Sequence, residues 1–314
     1  MRKLQYLGVL LGAIYGIVLR VLGGIESLGN MYSIYSITFL WITPIIISLI
    51  PIFILSNELY KSPLKLFFFP ILTVLLFSTI ALSTGLEDFL CVLIISLPFL
   101  LVAGITGLLV GTTIKKRKIN KKLYSIVFLP LLLNPIENLL PNRLETFRVE
   151  NKVVIEQSSE VIWKNILEVP EILDNEYSHG FFNRIGVPRP IKSKLHHSGK
   201  EFCRIGYFSE GLQLVETIDQ IEENRFVNFK IHIDKSILRN KPTDQHLLKS
   251  NYFSFENIAY QLIPIGKKRT ALILSCEYRI ESKMNGYANF WAKRIIQDFE
   301  VRLLQALKMK LEKQ

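Results

Sequence analysis

The sequence predicts a membrane α-helical bundle of four to five spans over Met1–Pro141. An α+β domain follows over Asn142–Gln314, in which a curved antiparallel sheet surrounds a long C-terminal helix. The prediction rests on long apolar runs that stop near Pro141, on period-two alternation in the segments that follow, and on one helical-period apolar stripe that closes the chain. A chain of 314 residues has the length for about two domains.

The hydrophobic content of 49% and mean hydropathy of +0.29 average over two unlike parts. Met1–Pro141 carries 11 Lys+Arg and 5 Asp+Glu, whereas Asn142–Gln314 carries 27 and 22. The second part therefore has the composition of a water-soluble domain, large enough to bury its own core. The net charge of +11 does not point to nucleic acid. Basic residues of the second part are interleaved with acids, and no DNA- or RNA-binding motif is present. Those of the first part sit between apolar runs, where membrane topology places them. Cys91 lies in an apolar run, and Cys203 and Cys276 lie in strand-like segments. This spacing makes neither a metal signature nor a disulfide framework. It favours buried small side chains over a Cys203–Cys276 bridge.

A spanning helix needs about 20 mostly apolar residues. Leu4–Leu22, Ile37–Leu55, Leu66–Ser83 and Phe89–Gly111 qualify. Arg20 is placed to snorkel, Pro44 and Pro51 to kink the second run, and Gly104, Gly107 and Gly111 to permit close helix approach. Leu123–Leu140 is interrupted by Pro130, Asn134, Pro135 and Glu137, and either spans or lies at the interface. Arg2 and Lys3, Lys61 and Lys65, and the KKRKINKK run at 115–122 alternate with loops around Glu26 and Glu87–Asp88 that carry acids alone. This puts the N-terminus in the cytoplasm. The soluble domain is extracytoplasmic if Leu123–Leu140 spans and cytoplasmic if it does not. The run at 115–122 is a topology signal, with anionic lipid binding as its alternative. Arg20 and Glu137 lie near segment ends, and no ionisable residue lies deep in a span, which favours an anchor over a pump.

In the second part, Val149–Gln157 alternates as a strand, Ser158 or Ser159 is an N-cap, and Glu160–Glu168 is helical with Val161, Trp163 and Ile166 or Leu167 inward. Glu171–Tyr177 reads as a short helix and His179–His197 as loop. Strands follow at Glu201–Phe208, Leu212–Gln220, Arg225–Asp234, Phe253–Ile263 and Thr270–Ile280, joined by hairpin turns, with Lys235–Asn251 a polar loop. The final helix, Gly286–Lys313, carries Tyr287, Trp291, Ile295, Phe299, Leu303, Leu307 and Leu311 as its stripe. A curved sheet around so long a helix leaves room for an apolar ligand.

Residues ~148–312 resemble the SRPBCC superfamily, which includes START lipid-binding domains, the birch-pollen allergen family and polyketide cyclases. VVIEQSSEVIWKNI (Val153–Ile166) is similar to its opening strand, cap and Trp-bearing helix. GVPRP (Gly186–Pro190), YFSEGLQLVETI (Tyr207–Ile218) and NGYANFWAKRI (Asn285–Ile295) resemble a membrane-anchored bacterial branch, which implies a bacterial plasma (inner) membrane. The resemblance implies a helix-grip fold. It is weak for function, because members bind, carry or convert very different ligands.

No metal, P-loop or dinucleotide motif is present, so no cofactor is expected. His196 and His197 are adjacent and point to opposite faces of a strand. Glu216 alternates with Leu212, Leu214 and Ile218 on an apolar face, and Arg204 sits among Phe202, Gly206 and Phe208. Paired across neighbouring strands they are either a polar anchor for a ligand head group or a buried ion pair that orders the sheet. Glu277 and Arg279 face away from Cys276 and Tyr278. Glu176 and His179 are candidates at the cavity mouth, as are His246 and Tyr252 in a second loop, and Glu176 with either histidine is an acid–base possibility. Tyr287 and Trp291 are core or ligand contacts. The leading expectation is a membrane-anchored domain that binds a lipid or other hydrophobic small molecule. The alternatives are a cyclase, dehydratase or hydrolase, and a ligand sensor or membrane assembly protein. Membrane lipids and a hydrophobic ligand are the expected partners.

Overall fold

The computed structural model describes residues 2–25, 35–54, 62–117, 125–198 and 201–313. Two compact units emerge, Met1–Asn142 with Ser282–Met284, and Arg143–Glu281 with Asn285–Gln314.

The first unit contains α1 (Arg2–Leu22), α2 (Thr43–Ile54, entered by a π turn at Thr38–Ile42), α3 (Pro63–Ser83), α4 (Phe89–Arg117) and α5 (Leu129–Asn138). Two stretches, Pro63–Ser83 and Phe89–Ile114, are long and apolar enough to cross a membrane. Tyr6–Leu22, Thr38–Ile54 and Ile126–Asn138 are shorter apolar helices. The expectation of four to five full spans is therefore corrected to two such helices among the described residues. α2 is entered through a π turn that breaks its α-helical register, and α5 is ten residues long. Lys61, the loop around Glu26 and the basic run from Lys118 onward lie outside the described residues.

Glycines set the helix spacing in this unit. A Cβ at Gly12 would come within 2.8 Å of the Ile47 carbonyl oxygen, and one at Gly8 within 2.9 Å of Pro51 Cα, so α1 and α2 run antiparallel in close contact. Gly104, Gly107 and Gly111 of α4 do the same against Phe67, Leu66 and Pro70 of α3. Arg20 does not snorkel. It is 2% exposed, pairs with Glu87 and donates Nη2 to the Leu86 carbonyl at 3.1 Å. A buried guanidinium needs a counter-charge, and the acidic connection before α4 supplies it. Glu137, at the end of α5, accepts the backbone N–H groups of Ile37 and Thr38 at 2.7 and 2.8 Å, a carboxylate at the entry of a helix. The Tyr15 hydroxyl bonds the Val127 carbonyl. α5 thus rises from mid-bundle to the Arg20 end, about 15 Å over its length, roughly half a hydrocarbon core.

The second unit is a seven-stranded sheet in the order β1-β7-β6-β5-β4-β3-β2. Its strands are β1 (Arg143–Ile155), β2 (Pro190–Ser198), β3 (Glu201–Phe208), β4 (Gln213–Glu222), β5 (Phe226–Ile237), β6 (Phe253–Gly266) and β7 (Arg269–Ser282). Neighbours from β2 to β7 pair antiparallel. Between β1 and β2 come α6 (Ser159–Leu167) and α7 (Phe181–Arg184), and α8 (Asn285–Leu311) ends the chain. The arrangement fits a helix-grip.

Several local expectations change. Pro190–Ser198 is strand rather than loop. As an edge strand it carries Lys192 and Lys194, which mask its pattern. Glu171–Tyr177 holds only a 3-10 turn at Asp174–Glu176. On α6 the fully buried residues are Ile162, Trp163 and Ile166, with Val161 half-buried. Lys235–Asn251 is clamped: Arg239 forms a bidentate pair with Asp244 at 3.0 and 2.7 Å and donates Nη1 to Glu210 and to the Gly186 carbonyl, each at 2.9 Å. Glu210 meets it from a left-handed turn, at φ 61°. The register of β6 slips between Phe255 and Asn257, so Phe253 and Phe255 share the inner face with Ile258, Tyr260 and Leu262.

The main core joins Ile162, Trp163 and Ile166 to Phe229, Tyr260, Leu274 and the C-terminal half of α8, through Leu303, Leu304, Leu307 and Leu311. A second cluster joins Val149, Cys276, Tyr278 and Ile280 to Ile296, with Ala288 and Ala292 alongside. The N-terminal half of α8 therefore packs through Ala288, Ala292 and Ile296, not through Tyr287 and Trp291. A strict i, i+4 stripe slips about 40° around a helix at each step. The long stripe read from sequence leaves the sheet well before it reaches Tyr287.

Candidate functional site

The inner face of the sheet carries a pair of opposite charges among its apolar side chains. Alternation on β3 and β4 turns Arg204 and Glu216 inward, and the antiparallel register sets them opposite each other. Arg204 Nε donates to Glu216 Oε2 at 2.5 Å, and Nη1 donates to the Ile166 carbonyl at 2.7 Å. The guanidinium lies 3.6 Å over the Phe229 ring. Both residues are 3% exposed. Burial opposes the charge on Arg204, but Glu216 and the Tyr260 phenol outweigh it and hold the guanidinium protonated. The pair is thus a closed structural unit. Gly206, next on the inner face of β3, leaves the Phe208 ring and the Glu216 carboxylate without a side chain between them.

A second buried carboxyl belongs to Glu300, which the sequence does not single out. It lies on α8, 2% exposed, beside both core clusters. Asn151 Nδ2 donates to its Oε2 at 2.7 Å, and Oε1 is buried without a partner. Burial pushes the carboxyl up to about 7. Asn151 and Arg148 act against the rise, and Glu150 adds to it. Its charge in turn helps burial raise the Tyr260 and Tyr278 phenols and the Cys276 thiol. Four positions beyond Ile296 it does fall on a buried face, and that angular position was the available signal.

The remaining candidates are distributed around the unit. Glu176 caps its own turn by accepting the Leu173 N–H at 3.0 Å and pairs with Lys310 at 3.1 Å; these contacts, in that order, hold its carboxyl below the usual range. His179 is exposed and pairs through Nε2 with Asp174 Oδ1 at 3.1 Å rather than with Glu176. Asp174 also holds Arg189 at 3.0 Å. His246 is half-buried in the turn Asp244–Leu248 secured by Arg239, and Tyr252 is half-buried just before β6, its carbonyl bonded to the Glu281 N–H at 3.0 Å. Tyr287 and Trp291 are half-buried on α8. Burial raises the Tyr287 phenol, while the Trp291 indole, buried and lacking an aligned hydrogen-bond acceptor, partly offsets this. Glu277 and Arg279 face outward, toward Arg148 and Glu256 respectively. All three cysteines are free thiols. Among the described residues no group of three or more His, Cys, Asp or Glu is gathered as a metal site.

No family model matches the chain. No curated protein matches it either. Solved structures do align with it. The Zhui aromatase/cyclase from Streptomyces sp. R1128 is 12% identical over 54% of this chain and 95% of its own, with a TM-score of 0.35. A START superfamily protein from Mycobacterium smegmatis is 11% identical over 53% and 97%, with a TM-score of 0.37. Norcoclaurine synthase from Thalictrum flavum, in complex with dopamine and hydroxybenzaldehyde, is 12% identical over 54% and 88%, with a TM-score of 0.34.

Proposed function

We propose that this is a membrane-anchored protein whose C-terminal unit binds an apolar small molecule between its sheet and α8. The observation that carries the reading is the uneven closure of the grip. Along the C-terminal half of α8 the core is sealed by Leu303, Leu304, Leu307 and Leu311. Toward the other end, inward aromatic side chains remain only half-covered: Phe208 against Phe299 on α8, and Phe253 and Phe255 on β6. Apolar surface left partly wet inside a fold is stabilised by whatever completes its burial, at about 25 cal/mol per Å².

Anchoring is supported by the outward faces of the first unit. Leu10, Ile14 and Val18 on α1, Leu72 and Leu75 on α3, and Leu101, Ile105 and Leu109 on α4 are all exposed. A contiguous apolar exterior of this kind suits lipid rather than water. Arg20 with Glu87, and Glu137 with the entry to α2, mark one end of the bundle, opposite the N-terminus. Although α5 is too short to span, it starts beside Tyr15 and ends at this Arg20 end, so with a cytoplasmic N-terminus the chain continues past Pro141 on the extracytoplasmic side. Proteinase K added to intact spheroplasts then removes a C-terminal tag; protection of the tag until lysis would reverse the orientation.

The binding reading is tested by native mass spectrometry of the full chain, purified in mild detergent, with extraction of what co-purifies. A defined apolar adduct that survives detergent removal supports it. A chain that carries nothing and takes up nothing from a total lipid extract overturns it.

A further inference from the structure

Among the described residues, four buried side-chain atoms of the second unit lack a hydrogen-bond partner, Tyr177 Oη, Asn228 Oδ1, Trp291 Nε1 and Glu300 Oε1, and of these the Glu300 oxygen alone belongs to a carboxyl group. Glu300 is 2% exposed, its Oε2 is engaged by Asn151, and its Oε1 is buried with no partner. An unmade hydrogen bond in a buried site is costly, so such an atom is either a defect or half of a contact. The neighbouring groups do not complete it. Tyr278 on β7 donates its hydroxyl to Asn289 Oδ1 at 2.7 Å. Cys276, beside it on β7, and Tyr260 on β6 are held in their neutral forms by burial. On β1, Arg148 is turned outward to Glu150 and Ser275.

We infer that Glu300, backed by Asn151, is the polar anchor of the bound molecule, its carboxylic acid donating a hydrogen bond from Oε1 to an uncharged oxygen such as a ketone, aldehyde or ester carbonyl. The inference rests on the reading that the grip takes an apolar molecule, and it specifies which class. Arg204, the cation on the inner face, is committed to Glu216 and the Ile166 carbonyl. A fatty-acid carboxylate placed against Glu300 would therefore be buried with no counter-charge from either Arg204 or Arg148, which disfavours anionic ligands. A hydrocarbon without oxygen would leave Oε1 unpaired. A neutral oxygen at one end of an apolar body satisfies both conditions. The anchor works only while Glu300 carries its proton, and its carboxyl is poised at about 7. Binding of the oxygenated ligand weakens as pH rises through neutrality, while binding of plain hydrocarbon does not.

The test uses the full chain in detergent micelles, with tryptophan fluorescence reporting titration by 2-undecanone, undecane and decanoate at acidic and alkaline pH. The expected result at acidic pH is a ketone bound roughly three- to tenfold more tightly than the alkane, the worth of one neutral hydrogen bond, with decanoate weakest. The preference disappears at alkaline pH in the native chain. It persists in Glu300→Gln, whose amide N–H donates at every pH, and is absent throughout in Glu300→Leu. Ketone and alkane binding equally, with the same affinity in all three proteins, would overturn the anchor while leaving the apolar grip intact. No binding of any probe by a chain that melts cooperatively would overturn the grip and the anchor together.

Discussion

Two carboxylates are buried in the same helix-grip and are treated in opposite ways. Glu216 meets a guanidinium at 2.5 Å that is itself bonded to the Ile166 carbonyl and stacked on Phe229. Glu300 meets only the Asn151 amide and has one oxygen with no partner. Burial is nearly equal at the two sites, so exposure does not separate them; the supply of charge does. A carboxylate that meets a buried guanidinium is compensated within the scaffold. One with only a neutral amide is driven toward its protonated form, and so retains a hydrogen-bond donor for use elsewhere.

Breaking the closed site has the largest expected effect. Arg204→Met strands the Glu216 carboxylate in the core and lowers stability by roughly 3–5 kcal/mol. Adding Glu216→Met restores much of the loss, because an apolar pair of similar volume replaces the ion pair. Chemical denaturation of the three proteins measures this, and additive losses would show the two residues to be independent.

Glu300→Gln sharpens the comparison and acts in the opposite direction. The native carboxyl, raised from 4.5 to about 7 on folding, contributes fully below the unfolded value and loses that contribution as pH rises through about 7. The substitution therefore stabilises the unit by about 3 kcal/mol at pH ~8 and by close to nothing at pH ~4. Melting temperature against pH reports the difference. A pH-independent gap between the two proteins would mean that Glu300 does not titrate in this range.

Asp244→Ala removes the bidentate partner of a buried Arg239 but leaves Glu210 and the Gly186 carbonyl in place. A loss of roughly 2 kcal/mol is expected, together with faster amide exchange across Asp244–Leu248. Glu176→Gln is the mildest change. The amide oxygen still accepts the Leu173 N–H, and only the Lys310 contact is given up. No shift in melting beyond experimental error is expected; a large one would move Glu176 from a turn cap to a site residue.

Strand residues were the more legible in sequence. Period two places Arg204 and Glu216 on one face wherever the hairpin register holds, so their meeting followed from spacing alone. Helix residues were less so. The seven-residue stripe on α8 is continuous in sequence, yet its steps carry Tyr287 and Trp291 around the cylinder, while Ala288, Ala292 and Ile296 take the sheet-facing positions. Small alanines and an ionisable Glu300 do not register in an apolar pattern, although they occupy its geometric face. β2 was hidden for a related reason: an edge strand with lysines on its outer side lacks the hydrophobic content that marks a central one. In the first unit, apolar runs were plain, but pairings such as Arg20 with Glu87 depend on helix order and could not be read from composition.

The most direct test of this account is infrared difference spectroscopy of the carboxyl C=O stretch, comparing the native chain with Glu300→Gln from pH ~4 to ~9. The account predicts a protonated-acid band in the native chain that fades with a midpoint near 7 and is missing from the variant. A native chain without that band at neutral pH, or a band that survives the substitution, would contradict it.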